Sequence, residues 1–158
     1  MLVPQSEGIP LPRPSIVSRP FWDGCAEGRL LYQRCAPCGT AVFNPAPICP
    51  SCRSRDLVWT ESAGAGSIYS WTVAHRPMTA SYTAPYAPII VDLDEGYQMV
   101  SNLIGCPVDV VAVGLRVEVE FHSIGPMTLP YFRPASGEQQ PAFDHGAHPV
   151  DAAARRPA

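Results

Sequence analysis

The sequence predicts a mainly β protein, in which a short N-terminal helix and a small cysteine-rich ribbon precede a five-stranded barrel of the OB type. Four of the six cysteines form two C-x-x-C pairs separated by ten residues. Downstream of these pairs, short runs rich in β-branched and aromatic residues alternate with glycines and prolines, as in small all-β domains. At 158 residues, the chain can hold a small module and one barrel but not two large domains.

The two terminal segments carry no pattern of regular structure. Residues 1–17 contain four prolines, which favour extended backbone and lack amide donors. We therefore expect an extended arm that is ordered only where it lies on another part of the protein. Residues 136–158 are rich in Ala, Pro, Gly and Gln, and we expect a disordered tail there because this composition cannot build a core.

A short helix is expected over residues 19–27. Ser18 is suited to cap its first turn, and Gly28 is suited to end it. The apolar face of this helix would consist of Phe21, Trp22 and Cys25. Together with a lead-in strand, the helix forms a segment over residues 18–33.

The two cysteine pairs predict a metal-binding ribbon over residues 34–60. Short apolar or aromatic runs at 29–34, 41–44 and 57–60 supply its strands. Four thiolates complete a tetrahedral shell with no open position for water or substrate, which is typical of a structural zinc site. The expected ligands of one Zn²⁺ per chain are Cys35, Cys38, Cys49 and Cys52.

Two other structures use the same four cysteines. They could form two disulfides, although no secretion signal accompanies them. They could also hold a single iron, which a spectrum distinguishes because ferric thiolate is coloured and zinc thiolate is not. The remaining cysteines, Cys25 and Cys106, are expected to be small core residues.

Residues 61–135 are expected to form the barrel. Its five strands are predicted at 67–76, 89–94, 97–104, 116–123 and 127–133. Residues 94–96 fit a hairpin turn, and Glu118 and Glu120 alternate with apolar residues as the solvent face of a strand. None of these carboxylates needs a catalytic explanation.

The charge composition argues against a nucleic-acid-binding protein. All eleven basic residues are Arg, the net charge is −3 and the pI is about 5.7, whereas nucleic-acid binders normally have a basic excess. Only 16% of the residues are charged, and such a charge-poor surface favours a protein partner. No secretory signal or apolar stretch of membrane-spanning length is present, so we expect a soluble, cytoplasmic protein.

The sequence offers no catalytic triad or phosphate-binding loop. His75 and Arg76 end an aromatic strand before a loop that contains two tyrosines, and Tyr131 and Arg133 lie in the last strand. Arg supplies a donor fork for phosphate or carboxylate, and Tyr supplies flat apolar area. These four residues are candidate ligand or partner contacts. An exposed strand end is the simpler explanation of His75 and Arg76, and a closing barrel strand explains Tyr131 and Arg133 as well as a partner contact does.

Several short motifs occur together and in order along the chain. They are residues 21–24 (FWDG), 27–30 (EGRL), 34–39 (RCAPCG), 47–52 (PICPSC), 66–73 (GSIYSWTV) and 131–134 (YFRP). In these motifs the chain resembles the domain-of-unknown-function-35 family over residues 13–135. The resemblance implies a short N-terminal helical segment, a rubredoxin-like zinc ribbon and a C-terminal OB-fold.

The resemblance also implies a function. Relatives in this family accompany thiolases and acyltransferases, steroid side-chain aldolases or hydratases of the hot-dog type. It therefore implies a non-catalytic subunit of a hetero-oligomer, whose thiolase-like or hydratase partner carries the catalytic residues and acts on acyl-CoA. Such a subunit stabilises its partner or helps to hold CoA at the shared interface, and His75, Arg76, Tyr131 and Arg133 are our candidates for that contact. A nucleic-acid-binding zinc ribbon and OB module is the alternative.

Overall fold

The computed structural model describes residues 1–136 except Glu7 and Met78. These residues form one short α-helix, a three-stranded ribbon and a closed five-stranded barrel, which confirms the predicted mainly β fold. The elements are α1 (Arg19–Ala26), β1 (Leu31–Cys35), β2 (Ala41–Val42), β3 (Leu57–Glu61), β4 (Ala65–Trp71), β5 (Ala87–Leu93), β6 (Gln98–Leu103), β7 (Arg116–Ile124) and β8 (Met127–Pro134), with a 3₁₀ turn at Val108–Val110. The predicted tail lies outside the described residues except for Ser136.

Helix α1 begins and ends close to its predicted bounds, but its first turn differs from the prediction. Ser18 stands at the N-cap position without a side-chain hydrogen bond to the helix. Its hydroxyl instead accepts a hydrogen bond from the Ser15 N–H at 2.9 Å, so it stabilises the turn before the helix. Gly28 ends the helix with a φ of 74°, a left-handed conformation that glycine adopts without steric cost.

The ribbon sheet has the strand order β2-β1-β3, with both pairings antiparallel. Its aromatic residues connect it to the barrel. The ring of Phe43, which follows β2, lies 5.6 Å from the ring of Phe21 in α1 and 5.2 Å from that of Tyr97. Tyr32 in β1 also packs on Tyr97, at 5.0 Å. The helix, ribbon and barrel therefore share one hydrophobic core, so a substitution that disturbs the packing of the ribbon also affects the packing of the barrel.

The barrel has the strand order β4-β5-β6-β8-β7, and β4 pairs with β7 to close it. Val91, Val117 and Phe132 are completely buried in its interior. Strand β4 ends at Trp71 rather than at the predicted residue 76. A bulge between Ile68 and Ser70 shifts its register with β5, and the pairing then continues to Trp71 and Ile89. The two ends of the loop that follows are joined to each other by the isolated antiparallel bridge Ala74–Tyr86, just outside β4 and β5.

The N-terminal arm lies on the barrel. From the sequence, we expect the arm to be ordered only if it makes such a contact. Leu2 is 1% exposed, and its amide donates to the carbonyl of Cys106 at 2.8 Å. Gln5 exchanges two side-chain hydrogen bonds with the backbone of Thr83, at 2.8 and 3.1 Å. The Gln5 N–H also donates to the Tyr131 hydroxyl at 3.2 Å, so the arm covers the outer face of β8.

The hairpin turn between β5 and β6 forms as predicted and is tied to β7. Gly96 adopts a φ of 88° and donates its N–H to the Leu93 carbonyl. Arg116 donates two hydrogen bonds to the Asp94 carboxylate, at 2.8 and 2.7 Å. These hydrogen bonds and the positive charge of Arg116 hold the pKa of the Asp94 carboxyl below its usual value.

The Asp94–Arg116 ion pair is expected to make a small, pH-dependent contribution to stability. Because the pKa of Asp94 is lowered by folding, the stabilisation is present above the unfolded pKa of about 3.9 and is lost as pH falls through the folded value. Both side chains are more than a third exposed, so Asp94→Asn should cost no more than about 1 kcal/mol at pH 7. Urea unfolding from pH 7 to pH 2 tests this, with the exposed helix residue in Asp23→Asn as control. A difference between wild type and Asp94→Asn that does not shrink in acid would contradict the assignment.

Candidate metal centre and contact residues

The two cysteine pairs form two turns of the same geometry. In the first turn the Gly39 N–H donates to the Cys35 carbonyl at 2.8 Å, and in the second the Arg53 N–H donates to the Cys49 carbonyl at 3.0 Å. Gly39 and Arg53 both have positive φ values, of 72° and 62°. Arg53 is the non-glycine residue with positive φ among the described residues, and the second turn imposes this strained conformation on it.

The four sulfurs lie in one cluster. All are within 4.8 Å of one another, with 3.4 Å between the Sγ atoms of Cys35 and Cys52 and 3.7 Å between those of Cys38 and Cys49. A tetrahedral metal with metal–sulfur bonds of about 2.3 Å requires sulfurs about 3.8 Å apart. A disulfide requires about 2.05 Å, and all four cysteines are free, so the disulfide alternative is wrong. The cluster has the composition and the approximate sulfur spacing of a four-cysteine metal site.

Hydrogen bonds of the chain itself favour the thiolate form of two of the four cysteines, Cys38 and Cys49, whereas the pKa of Cys35 is raised. Bonds from the hydroxyl and backbone of Thr40 lower the pKa of Cys38 to about 6, and the Thr40 Oγ1 lies 3.2 Å from its sulfur. Backbone hydrogen bonds, first from Cys52, lower the pKa of Cys49. One thiol in each turn is thus prepared to bind a cation, since the thiolate is the metal-ligating form.

Cys25 and Cys106 are buried in the core, as the sequence predicted, with exposed fractions of 0% and 4%. Burial raises the pKa of Cys25 to about 12 and also raises that of Cys106. At pH 8 roughly one Cys25 in ten thousand is then a thiolate. We expect iodoacetamide to leave both residues unmodified in the folded, metal-loaded protein and to modify both after unfolding in guanidinium with chelator. Peptide mass spectrometry measures this, and rapid alkylation of either residue in the folded protein would exclude a purely structural role.

The four candidate contact residues occupy different environments. His75 and Arg76 are exposed in the loop between β4 and β5. Tyr131 is 3% exposed beneath the N-terminal arm. Arg133 pairs with Glu118 at 2.8 Å and with Glu120 at 3.0 Å. Among the described residues, no hydrogen bond or ion pair joins the two loop residues to the two residues of β8.

A cavity of about 400 Å³ lies where the arm, α1, the ribbon and the barrel meet. Its wall includes Trp22, Phe43, Tyr82, Val100, Leu129 and Tyr131. Of the four candidate contact residues, only Tyr131 belongs to this wall. The sequence analysis did not find the cavity, because its residues come from six separate segments with no shared motif.

A four-cysteine zinc ribbon packed on an OB barrel defines a class of two-module zinc ribbon and OB-fold proteins. Residues 22–58 match the rubredoxin-like zinc ribbon domain of ChsH2, and residues 59–122 match the C-terminal OB-fold domain of ChsH2. No helix in the described part of the chain is long and apolar enough to span a membrane.

Individual relatives agree with these domain matches. A DUF35 domain-containing scaffold protein of Methanocaldococcus jannaschii is 33% identical over 97 residues, which are 60% of this chain and 69% of that protein. A probable enoyl-CoA hydratase alpha subunit of Thermomonospora curvata is 39% identical over 132 residues, which are 82% of this chain and 41% of that protein. This chain thus spans about two fifths of the hydratase subunit's length.

A solved structure described as an Ltp2-ChsH2(DUF35) aldolase contains a similar chain. It has a TM-score of 0.73 and 37% identity, and the match covers 78% of this chain and 98% of that one. The protein belongs to the DUF35 family, of the type represented by ChsH2.

Proposed function

We propose that this protein is a non-catalytic accessory subunit that carries one structural zinc ion and docks on an enzyme acting on acyl-CoA thioesters. The observation that carries the proposal is the likeness to the DUF35 chain of the Ltp2-ChsH2(DUF35) aldolase, which extends over 98% of that chain. Other relatives are named DUF35 domain-containing scaffold proteins, which favours a structural rather than a catalytic role. A thiolase-like enzyme or an aldolase is the partner class that we favour.

Zinc is the metal that this proposal assigns to the four-cysteine site. The sulfur spacing supports a tetrahedral thiolate centre, and zinc and iron both form such centres. A site filled by four protein ligands has no position for substrate, so the ion would stabilise the fold and take no part in the reaction. Elemental analysis of the purified protein tests the assignment: one zinc per chain and a colourless solution are expected, whereas iron with visible absorbance would overturn it.

A hydratase of the hot-dog type is the second candidate partner. The observation that favours it is the name of the Thermomonospora curvata relative, a probable enoyl-CoA hydratase alpha subunit. In that case this chain corresponds to about two fifths of the alpha subunit, and the catalytic part lies elsewhere in the complex. The nucleic-acid alternative has the weaker support, because the chain has a net charge of −3.

Co-purification tests the accessory role. The full chain, with a cleavable tag, is expressed in its native host and captured at low salt, and proteins present in stoichiometric amount are identified by mass spectrometry. A thiolase-like enzyme, an aldolase or a hydratase is expected, and it should lose activity or stability when this chain is removed. Recovery of the chain alone, or with nucleic acid that high salt releases, would overturn the proposal.

Contact with CoA is a separate part of the proposal. His75 and Arg76 are exposed and accessible to a phosphate at an interface, whereas Arg133 is engaged with two glutamates and Tyr131 is covered by the arm. Arg76→Ala is therefore expected to raise the KM of the assembled complex for its CoA ester more than Arg133→Ala does. Arg13→Ala, in the exposed arm, serves as control. Unchanged KM values in both variants would remove these residues from the site.

A further inference from the structure

Strands β6 and β8 close the barrel through one short contact and then separate. Their parallel pairing consists of the bridge Leu103–Phe132, with the Ile104 N–H donating to the Phe132 carbonyl. Two residues earlier on β8 stands Pro130, which has no N–H to continue the ladder. The Ser101 hydroxyl donates to the Pro130 carbonyl at 2.7 Å in place of a backbone hydrogen bond. The backbone pairing is therefore confined to the C-terminal end of β6.

The separation leaves backbone groups of β6 facing an open space. N–H and C=O groups of alternate residues point to the same side of a strand, so those of Val100 point to the side on which Ile104 bonds β8. The side chain of Val100 is 71% exposed, so β6 presents an apolar residue to solvent beside this gap. This half of β6 is an open strand edge with an exposed apolar residue, the kind of edge to which another extended chain adds.

The 400 Å³ cavity lies beside this edge. Its volume falls in the range of about 300–1,000 Å³ that is typical of binding sites. None of the described side chains that line it is charged. Asn102 lines the cavity as well, and its Oδ1 atom is buried with no hydrogen-bond donor among the described residues. A buried acceptor of this kind normally has a partner.

We propose that an extended, uncharged segment of the partner enzyme adds as a strand to the open edge of β6 and inserts a large apolar side chain into the cavity. This inference rests on the proposed function, because it names the surface on which the partner docks. The open edge requires a peptide, since only a peptide offers backbone donors and acceptors at the spacing of a strand. Charge complementarity requires that the inserted side chain is neutral, because a charge in this uncharged cavity would lose its hydration without an ion-pair partner.

Two substitutions at one position separate the backbone and side-chain parts of the interaction. Val100→Pro removes the N–H that the added strand would use, and Val100→Arg retains the N–H but places a charge at the cavity mouth. Because Val100 is largely exposed and its amide faces the gap, Val100→Arg should fold normally even if proline disturbs the strand. Val113→Arg, at a position 48% exposed, is the matched control for an added surface charge.

The first experiment selects binding peptides from a phage-displayed library of random dodecapeptides on the full, metal-loaded chain. We expect enrichment of uncharged sequences with a large apolar residue, and binding of the synthetic peptides about tenfold weaker to Val100→Pro and to Val100→Arg but unchanged for Val113→Arg. Backbone N-methylation of the peptide should abolish binding. Absence of enrichment, or peptides that bind all variants equally, would overturn the inference. A small apolar molecule that fills the cavity while no peptide adds to the edge would overturn it as well.

The second experiment uses the complex recovered by co-purification. If the inference is correct, hydrogen exchange slows at residues 98–102 in the complex, and Val100→Arg reduces the recovery of the partner about tenfold or more. A partner that binds Val100→Arg as well as wild type would refute the docking surface and leave the accessory function standing. Failure to recover any partner would refute the accessory function instead, so the two failures are distinguishable.

Discussion

Cys35→Ser is expected to release the metal ion and unfold the ribbon. In small zinc modules the apparent free energy of metal binding is about 10–16 kcal/mol at neutral pH, and it appears as folding free energy. Cys35 is completely buried at the end of β1. A water molecule therefore cannot take the place of the missing thiolate as a ligand unless the turn opens. A loss of this size exceeds the whole stability of a typical domain, which is about 5–15 kcal/mol.

The effect should extend beyond the ribbon. Phe43 and Tyr32 of the ribbon pack on Tyr97 of the barrel, so unfolding of the ribbon exposes part of the common core. We expect the thermal unfolding of Cys35→Ser to begin well below that of wild type and to lose cooperativity. Chelation of the metal from wild type should give the same curve.

Elemental analysis and far-UV circular dichroism during heating measure these effects together. Cys25→Ala is the matched control, because it removes a completely buried thiol that is not a ligand and should keep one metal per chain. Full metal occupancy with an unaltered melting curve in Cys35→Ser would show that the four cysteines are not the metal ligands.

The parts of this protein that the sequence predicted are those with local causes. Each cysteine turn is encoded by six consecutive residues, and the spacing of the two turns leaves room only for short strands. The strands of the barrel show the same locality, because alternation and turn residues specify each of them separately. The exception is β4, which ends five residues before the predicted end and contains a bulge between Ile68 and Ser70. The bulge is a feature of the pairing with β5 and has no mark in the sequence of β4 alone.

The parts that the sequence did not predict depend on contacts between distant segments. The arm is ordered by Gln5 bonding to Thr83 and Tyr131, partners that lie 78 and 126 residues away. The cavity forms where Pro130 stops the pairing of β8 with β6. The sequence alone does not predict this, because it does not show which neighbouring strand would have accepted the missing hydrogen bond of Pro130. Of the proposed contact residues, Arg133 resembled a free donor in the sequence because its partners Glu118 and Glu120 are assigned only by the register of β7 and β8.

Phe132→Ala is expected to have the largest effect of any single substitution in the barrel. The side chain is completely buried, and the residue provides the one bridge that joins β8 to β6 while also pairing with Val119 on β7. Removal of a buried phenylalanine costs about 3–5 kcal/mol, from lost apolar burial and from the cavity that remains. Because the backbone bridge is retained, we expect a lower urea midpoint with an unchanged m-value.

Two control variants define the origin of this loss. Phe132→Leu keeps most of the volume and should cost less than half as much as Phe132→Ala, whereas Tyr69→Ala, at a position 56% exposed, should change stability by no more than about 0.5 kcal/mol. A cost below about 1 kcal/mol for Phe132→Ala would mean that the β6–β8 seam does not depend on interior packing. If the seam does depend on it, the same substitution must also widen the gap beside Val100, and it should then weaken the binding of the peptides selected on wild type before the barrel unfolds.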